Sequence, residues 1–206
     1  MSQYFYIHPE NPQARLIRQA VEIIKQGGVV VYPTDSGYAL GCALGKKQAL
    51  EQICRIRNID LDHNFTLVCS DVSELSTYAK VGNQAFRALK NNTPGAYTFI
   101  FKATKDAPKK LQNPKKKTIG LRIPNNKIAL DLLAELGEPI MSSTLILPNQ
   151  EHAESDPESI RDSLEKVVDL IIDGGYLTEM PTTVIDMSED TIEIIRVGNG
   201  DVSPFE

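Results

Sequence analysis

The segment Tyr32-Pro33-Thr34-Asp35-Ser36-Gly37-Tyr38-Ala39-Leu40-Gly41-Cys42 sets hydroxyls, one carboxylate and two glycines directly after the apolar run Val29 to Tyr32. At the end of a buried strand these residue types can gather backbone amides and side-chain donors around a small polar ligand. They are also the ordinary residues of tight turns, so the segment alone leaves both readings open. Arg122 is more restrictive, because it lies inside the apolar strand pattern Ile119-Gly120-Leu121-Arg122-Ile123. An unpaired charge there is costly, so Arg122 must meet a partner or point into a cleft. Arg196, near the last apolar stretch, presents a weaker version of the same case. Arg55 and Arg57 end a helical pattern, where they either contact an anion or face solvent at a favourable helix C-terminus.

A second kind of chemistry is electrostatic. Lys102, Lys105, Lys109, Lys110, Lys115, Lys116 and Lys117 stand against Asp106 alone, a net of +6 that leaves −11 for the remainder of a chain totalling −5. A local positive field attracts an anion or an RNA backbone whatever the overall sign. The same run also serves as a solvated loop.

The elements that must position these groups follow from periodicity. Asn11-Pro12, then Leu16, Ile17, Ala20, Val21 and Ile24 before Gly27-Gly28, read as a capped amphipathic helix with a glycine stop. Val29 to Tyr32 is a short buried strand ending at Pro33, and Thr66 to Cys69, Tyr97 to Ala103 and Thr118 to Ile123 are further strands. Helical spacing returns at Ala49 to Ile56, at Asn126 to Leu136 before Gly137, and after Asp156-Pro157 with Ile160, Leu164, Val167 and Val168. Asp71 and Asn83 can each cap a further short helix. Pro139 to Ser142 is extended, and Thr182 to Met187 with Thr191 to Val197 form a closing hairpin. Interleaved helices and strands predict one α/β domain over residues 1–206, a twisted mixed sheet with helices packed on it.

Composition narrows the class. Hydrophobic residues at 41% and charged residues at 24% are those of an ordinary soluble globular protein. The amino terminus has no basic leader, and no apolar run approaches the ~20 residues that cross a bilayer, so a cytoplasmic protein is expected. Cys42, Cys54 and Cys69 show no CxxC spacing, and the three histidines offer no matching base. They read as buried free thiols rather than a thiol enzyme or a zinc site.

Five segments taken together resemble the YrdC/YciO family of threonylcarbamoyl-AMP synthase-like proteins. Residues 33–41 resemble its PT-E/D-T-x-Y-G-L-G segment, Thr93-Pro94-Gly95-Ala96-Tyr97-Thr98 its W-P-G-P-x-T, and Thr118-Ile119-Gly120-Leu121-Arg122-Ile123-Pro124 its T-V-G-V-R-x-P. Asp173-Gly174-Gly175 and Pro181-Thr182-Thr183-Val184-Ile185-Asp186, with Ile195-Arg196-Val197-Gly198, complete the series in family order, and the YciO branch is the nearer one. The resemblance implies an open concave cleft and a reaction of L-threonine, bicarbonate and ATP that serves tRNA modification. It implies phosphate or nucleotide contacts at Arg55, Arg57, Thr118, Thr144 and Arg196, and threonine contacts at Thr34, Arg122, Ser142 and Thr183. It names no particular catalytic side chain. Mg2+ would accompany ATP where the reaction is retained, and no protein metal site is expected. Such a site must bring a carboxylate, a carbamate and a triphosphate together, a task that suits guanidinium groups. Thr34, Thr118 and Thr183 are also explained by β-propensity.

Two departures stand out. Where synthase-type members carry S-x-N, this chain has Ser142-Ser143-Thr144-Leu145-Ile146, so Ile146 replaces the asparagine. Ile146 has no amide to donate or accept, which removes a polar contact worth roughly 1.5–3 kcal/mol when it serves a charged group. The lysine of the family's K-x-R is Arg55, and the following proline is Asn58. A paralogue with a kept cleft and a weakened synthase reaction is one expectation. The other is a non-catalytic protein binding tRNA or other structured RNA through Lys102, Lys109, Lys110, Lys115, Lys116 and Lys117.

Overall fold

Val30 to Thr34 and Gly37 to Ala43 are buried at every position, on both faces of the strand. Strands of this kind need packing partners on both sides of their sheet. The computed structural model, which describes residues 1–206, supplies them. In chain order the elements are β1 (Gln3–Tyr6), α1 (Ala14–Lys25), β2 (Val30–Thr34), β3 (Gly37–Ala43), α2 (Lys47–Arg57), β4 (Thr66–Val68), α3 (Val72–Tyr78) and α4 (Asn83–Asn92). There follow β5 (Tyr97–Lys102), β6 (Thr118–Arg122), α5 (Lys127–Leu136), β7 (Ile140–Thr144), α6 (Pro157–Leu164), β8 (Leu170–Asp173), β9 (Thr183–Asp186) and β10 (Glu193–Arg196).

All ten strands join one mixed, twisted sheet in the order β1-β8-β2-β3-β7-β4-β6-β5-β9-β10. One face packs against α2, α3, α4 and α6 through a 33-residue core that includes Leu40, Leu67, Phe99, Leu121 and Ile185. The other face packs against α1 and α5 through a 19-residue core that reaches across the sheet only as far as Val68. No residue of β6, β5, β9 or β10 belongs to it. On that side Thr66, Thr98, Ile100, Gly120 and Val184 are only partly buried. The sheet is therefore covered twice along half its width and once along the rest, and the uncovered half is an open cleft.

The element pattern agrees with the periodicity in most places, with Asp71 and Asn126 capping α3 and α5 and left-handed Gly137 ending α5. Several expectations are corrected. The second strand does not stop at Pro33 but runs through it to Thr34, because Pro33 pairs with Tyr38 in a hairpin whose second strand is the segment read as a loop. Gln13 rather than Asn11 precedes α1, and Gly82 rather than Asn83 precedes α4. Val167 and Val168 lie beyond the end of α6, on the approach to β8.

Asp173-Gly174-Gly175 at the end of β8 ties the hairpin down. The Tyr38 hydroxyl donates to the Gly175 carbonyl at 2.6 Å and accepts the Gly174 N–H at 3.1 Å. A Cβ at Gly174 would stand 2.9 Å from both Pro33 and Ile128, so only glycine allows this approach. Tyr38→Phe strands both backbone groups, and urea denaturation should show a loss of about 1–3 kcal/mol. An unchanged midpoint would contradict this anchoring role.

Candidate functional site

The β2–β3 hairpin is closed by only Asp35 and Ser36, with Gly37 at φ +92. The Thr34 hydroxyl donates to the Gly37 carbonyl at 2.6 Å and accepts the Ser36 N–H at 3.0 Å, which holds the turn from within. A Cβ at Gly37 would lie 2.7 Å from that of Ala153, so the turn also seats against the loop before α6. This geometry aims the Asp35 carboxylate and the Ser36 hydroxyl at the end of β6. Arg122 answers both, with Nη2 on Asp35 Oδ1 and Nη1 on Ser36 Oγ at 2.9 Å. Asp35 Oδ2 accepts the Asn125 N–H at 2.8 Å, and the Asp35 carbonyl accepts from Asn199 Nδ2 at 3.1 Å. Arg122 Nε is buried and has no partner.

Around Arg122 the cleft floor holds a small cavity of about 30 Å³, lined mainly by hydroxyls, among them Thr34, Ser36, Thr66, Thr98, Ser142 and Thr182. Strand register explains the convergence. Thr66 stands opposite both Gly120 and Ser142, so these residues and Arg122 face the same side. Gly120 keeps the floor low, since a Cβ there would lie between the side chains of Thr98 and Thr66. Tyr32 hydroxyl and Ser142 Oγ meet at 2.6 Å behind the cleft wall. Burial pushes the Tyr32 phenol up to about 12, so it stays neutral at ordinary pH. Gly41 gives the ring room, because a Cβ there would stand 2.8 Å from it.

The positions named from the sequence fall into three groups. Thr34, Arg122, Ser142 and Thr144 line the cleft together. Arg196 reaches the same side through a bulge in β10 that sets it opposite Val184, and its Nη2 donates to the Thr182 carbonyl at 2.8 Å. Burial lowers its guanidinium below the ordinary value. Arg57 lies across β7, donating to Ser143 Oγ at 2.6 Å and toward the Ile146 carbonyl at 3.4 Å, which ties α2 to the stretch carrying the missing asparagine.

The remaining positions stand apart. Thr183 faces away from the cleft, donating to the Gly200 carbonyl and accepting the Gly198 N–H. Thr118 shares the face of Arg122 but sits at the other end of β6, about 13 Å away along the strand. Arg55 is exposed beside a separate depression with Glu51, Cys54 and Asp60. The six lysines do not form one surface with the arginines: Lys102 pairs with Glu189, Lys109 and Lys110 lie over the opposite face, and Lys115 to Lys117 occupy the turn before β6. Ser36 belongs to the hydroxyl-bearing segment singled out in the sequence, whereas Thr66, Thr98, Thr182 and Asn199 carry no individual signal there.

A half-covered mixed sheet with a guanidinium and hydroxyls on its open face defines an α/β protein with a polar cleft. The chain belongs to the Sua5/YciO/YrdC family, described as telomere recombination, whose pattern matches residues 22–198. It is 66% identical to a protein of Haemophilus influenzae over 206 residues and 63% identical to YciO of Escherichia coli over 205, with each chain covered fully. It is 27% identical over 161 residues to the threonylcarbamoyl-AMP synthase of Vibrio vulnificus, covering 77% of this chain and 86% of that one. The crystal structure of Escherichia coli YciO superposes with a TM-score of 0.95 over the whole of both chains. The structure of Pyrococcus abyssi Sua5 complexed with L-threonine superposes at 0.87 with 23% identity, covering 96% of this chain and 58% of that one.

Two outcomes follow from the geometry. The Asp35 and Arg122 side chains are 13% and 8% exposed, so removing one charge leaves the other nearly buried and unpaired. Asp35→Ala should cost about 3–5 kcal/mol in denaturant unfolding, and replacing both by apolar residues should cost less. Equal losses in the single and double variants would contradict a buried, mutually dependent pair. Burial, reinforced by Arg57, holds the His63 imidazole below its ordinary 6.5. The unfolded chain therefore binds the extra proton first, so stability falls as pH drops from about 6.5 through the folded value. His63→Gln should flatten that part of a thermal-stability profile against pH, and an unaltered profile would refute the coupling.

Proposed function

We propose that the cleft binds L-threonine by its carboxylate at Arg122, with a nucleotide phosphate chain beside it, and retains a weakened threonylcarbamoyl-AMP synthase reaction. The observation that carries this reading is the buried, unpartnered Arg122 Nε in a cleft lined by hydroxyls. A buried donor without a partner costs free energy that an incoming anion restores. The synthase name of the Vibrio vulnificus relative and the L-threonine of the Pyrococcus abyssi complex favour the same ligand. In this reading Thr34 and Ser142 flank the amino acid, while Thr144 and Arg196 stand nearest the phosphates. The threonine nitrogen bonds the bicarbonate carbon with loss of water to form the carbamate, and a carbamate oxygen then displaces pyrophosphate at the α-phosphate.

Magnesium, where the reaction uses it, would be carried by the triphosphate. No group of three or more His, Cys, Asp or Glu residues is placed to hold an ion, and the one cleft carboxylate, Asp35, is already engaged by Arg122 and Asn125. No helix is long and apolar enough to cross a membrane. Three buried free cysteines accord with the reducing cytoplasm, where tRNA modification takes place.

The test incubates the protein with L-threonine, bicarbonate and labelled ATP and follows pyrophosphate and threonylcarbamoyl-AMP. Slow turnover is expected, and Ile146→Asn should raise it by roughly tenfold to a hundredfold, the worth of one hydrogen bond to a charged group. Arg55→Lys should add little, because Arg55 lies outside the cleft. An absence of product in both the native protein and the Ile146→Asn variant, with ATP bound, would overturn the synthase reading.

A second reading, binding of structured RNA, is favoured by Lys115, Lys116 and Lys117, which are consecutive, exposed and in no ion pair. Changing all three to Ala should make the slope of log affinity against log salt shallower by roughly two units. An unchanged slope would reduce this turn to a solvated loop.

A further inference from the structure

The sheet face opposite the cleft carries a second depression, where β3 passes into α2 beside the short helical turn Lys109–Leu111. Its floor is apolar, formed chiefly by Leu50, Leu111 and Met141. Met141 precedes Ser142 on β7, so its side chain points away from the cleft that Ser142 lines. Four lysines, Lys46, Lys47, Lys109 and Lys110, form the rim, and no carboxylate lines it. Only Lys47 has an ion pair, with half-buried Glu51 at 3.7 Å one helical turn away. Helix α2 begins at the same place with no side-chain cap and no acidic residue in its first turn, which adds its positive end to the rim.

Four cations around one apolar hollow repel each other, in a chain whose total charge is −5. Inorganic phosphate or a nucleic-acid backbone would satisfy the lysines and leave the floor wet. A neutral apolar molecule would cover the floor and leave the lysines unneutralised. The hollow encloses about 230 Å³, below the ~300–1,000 Å³ of drug-sized pockets, so its occupant is small. We propose that this depression is a ligand site, separate from the cleft, for a small amphipathic organic anion: an apolar body on Leu50, Leu111 and Met141, and a carboxylate, sulfonate or phosphate head among the lysines.

The test titrates the full-length protein with anilinonaphthalene sulfonate, whose fluorescence reports an apolar site and whose head is anionic. Saturation at one probe per chain is expected, with displacement by octanoate but not by octanol, inorganic phosphate, L-threonine or ATP. Lys46→Ala with Lys110→Ala, both exposed and checked by thermal unfolding for a retained fold, should weaken the probe by about tenfold or more. Met141→Lys, which places a charge on the floor, should do the same, and Leu111→Lys serves if that variant fails to fold. The proposal is overturned by any of three results: no saturable binding, binding indifferent to these variants, or displacement by inorganic phosphate or an RNA hairpin as effective as by octanoate.

Discussion

Arg122 sits where a sheet ordinarily tolerates no charge, and the site depends on how that charge is met. A guanidinium removed from water is costly until its fork is filled. Asp35 and Ser36 fill two of its positions from a hairpin turn of only two residues. That turn is fixed internally by Thr34 and externally by Asn125 and Asn199. Residues far apart in sequence are therefore locked into one arrangement by a single charge. The third position, Nε, is left facing the need for an acceptor. Because the arginine is carried by a strand and the turn by a hairpin, the arrangement is preorganised.

The half-covered sheet turns this anchor into a cleft. Where α1 and α5 cover the sheet, its residues are Val30, Tyr32, Val68 and Ile140. Where the covering stops, the same face carries Thr66, Thr98 and Gly120 beside Ile100 and Val184. Short hydroxyl side chains keep the floor close to the backbone and offer both donors and acceptors without adding charge. Phenolic Tyr32, held neutral by burial, supports Ser142 from behind. Arg196 stands at the margin, bonded to the start of β9, while Arg57 is bonded to Ser143 on the α2 side of β7. One guanidinium thus bears the main electrostatic task, with neutral dipoles around it.

The parts legible in the sequence were those with local causes. Helices α1, α2 and α5 showed their apolar spacing, and the strand around Arg122 announced itself by the conflict between charge and pattern. Strand β3 escaped because both of its faces are buried, which erases the alternation that marks a strand, and its turn-forming residues looked like a loop. The short edge strand β1 and buried β8 were missed for related reasons, being short and paired only with distant segments. Thr66, Thr98 and Thr182 carry no signal of their own, since sheet register alone brings them together. Arg196 reaches the cleft side through a bulge that no local pattern marks. Thr183, its neighbour in the same motif, points the other way because adjacent strand residues alternate faces.

Recognition of an anionic group by Arg122 is measured by calorimetric titration with L-threonine and with L-threoninol. The two ligands differ only in the carboxylate. Threonine is expected to bind, threoninol to bind at least about tenfold more weakly, and Arg122→Ala to abolish the difference. Equal affinity for both ligands, or a preference for threonine that survives Arg122→Ala, would contradict it.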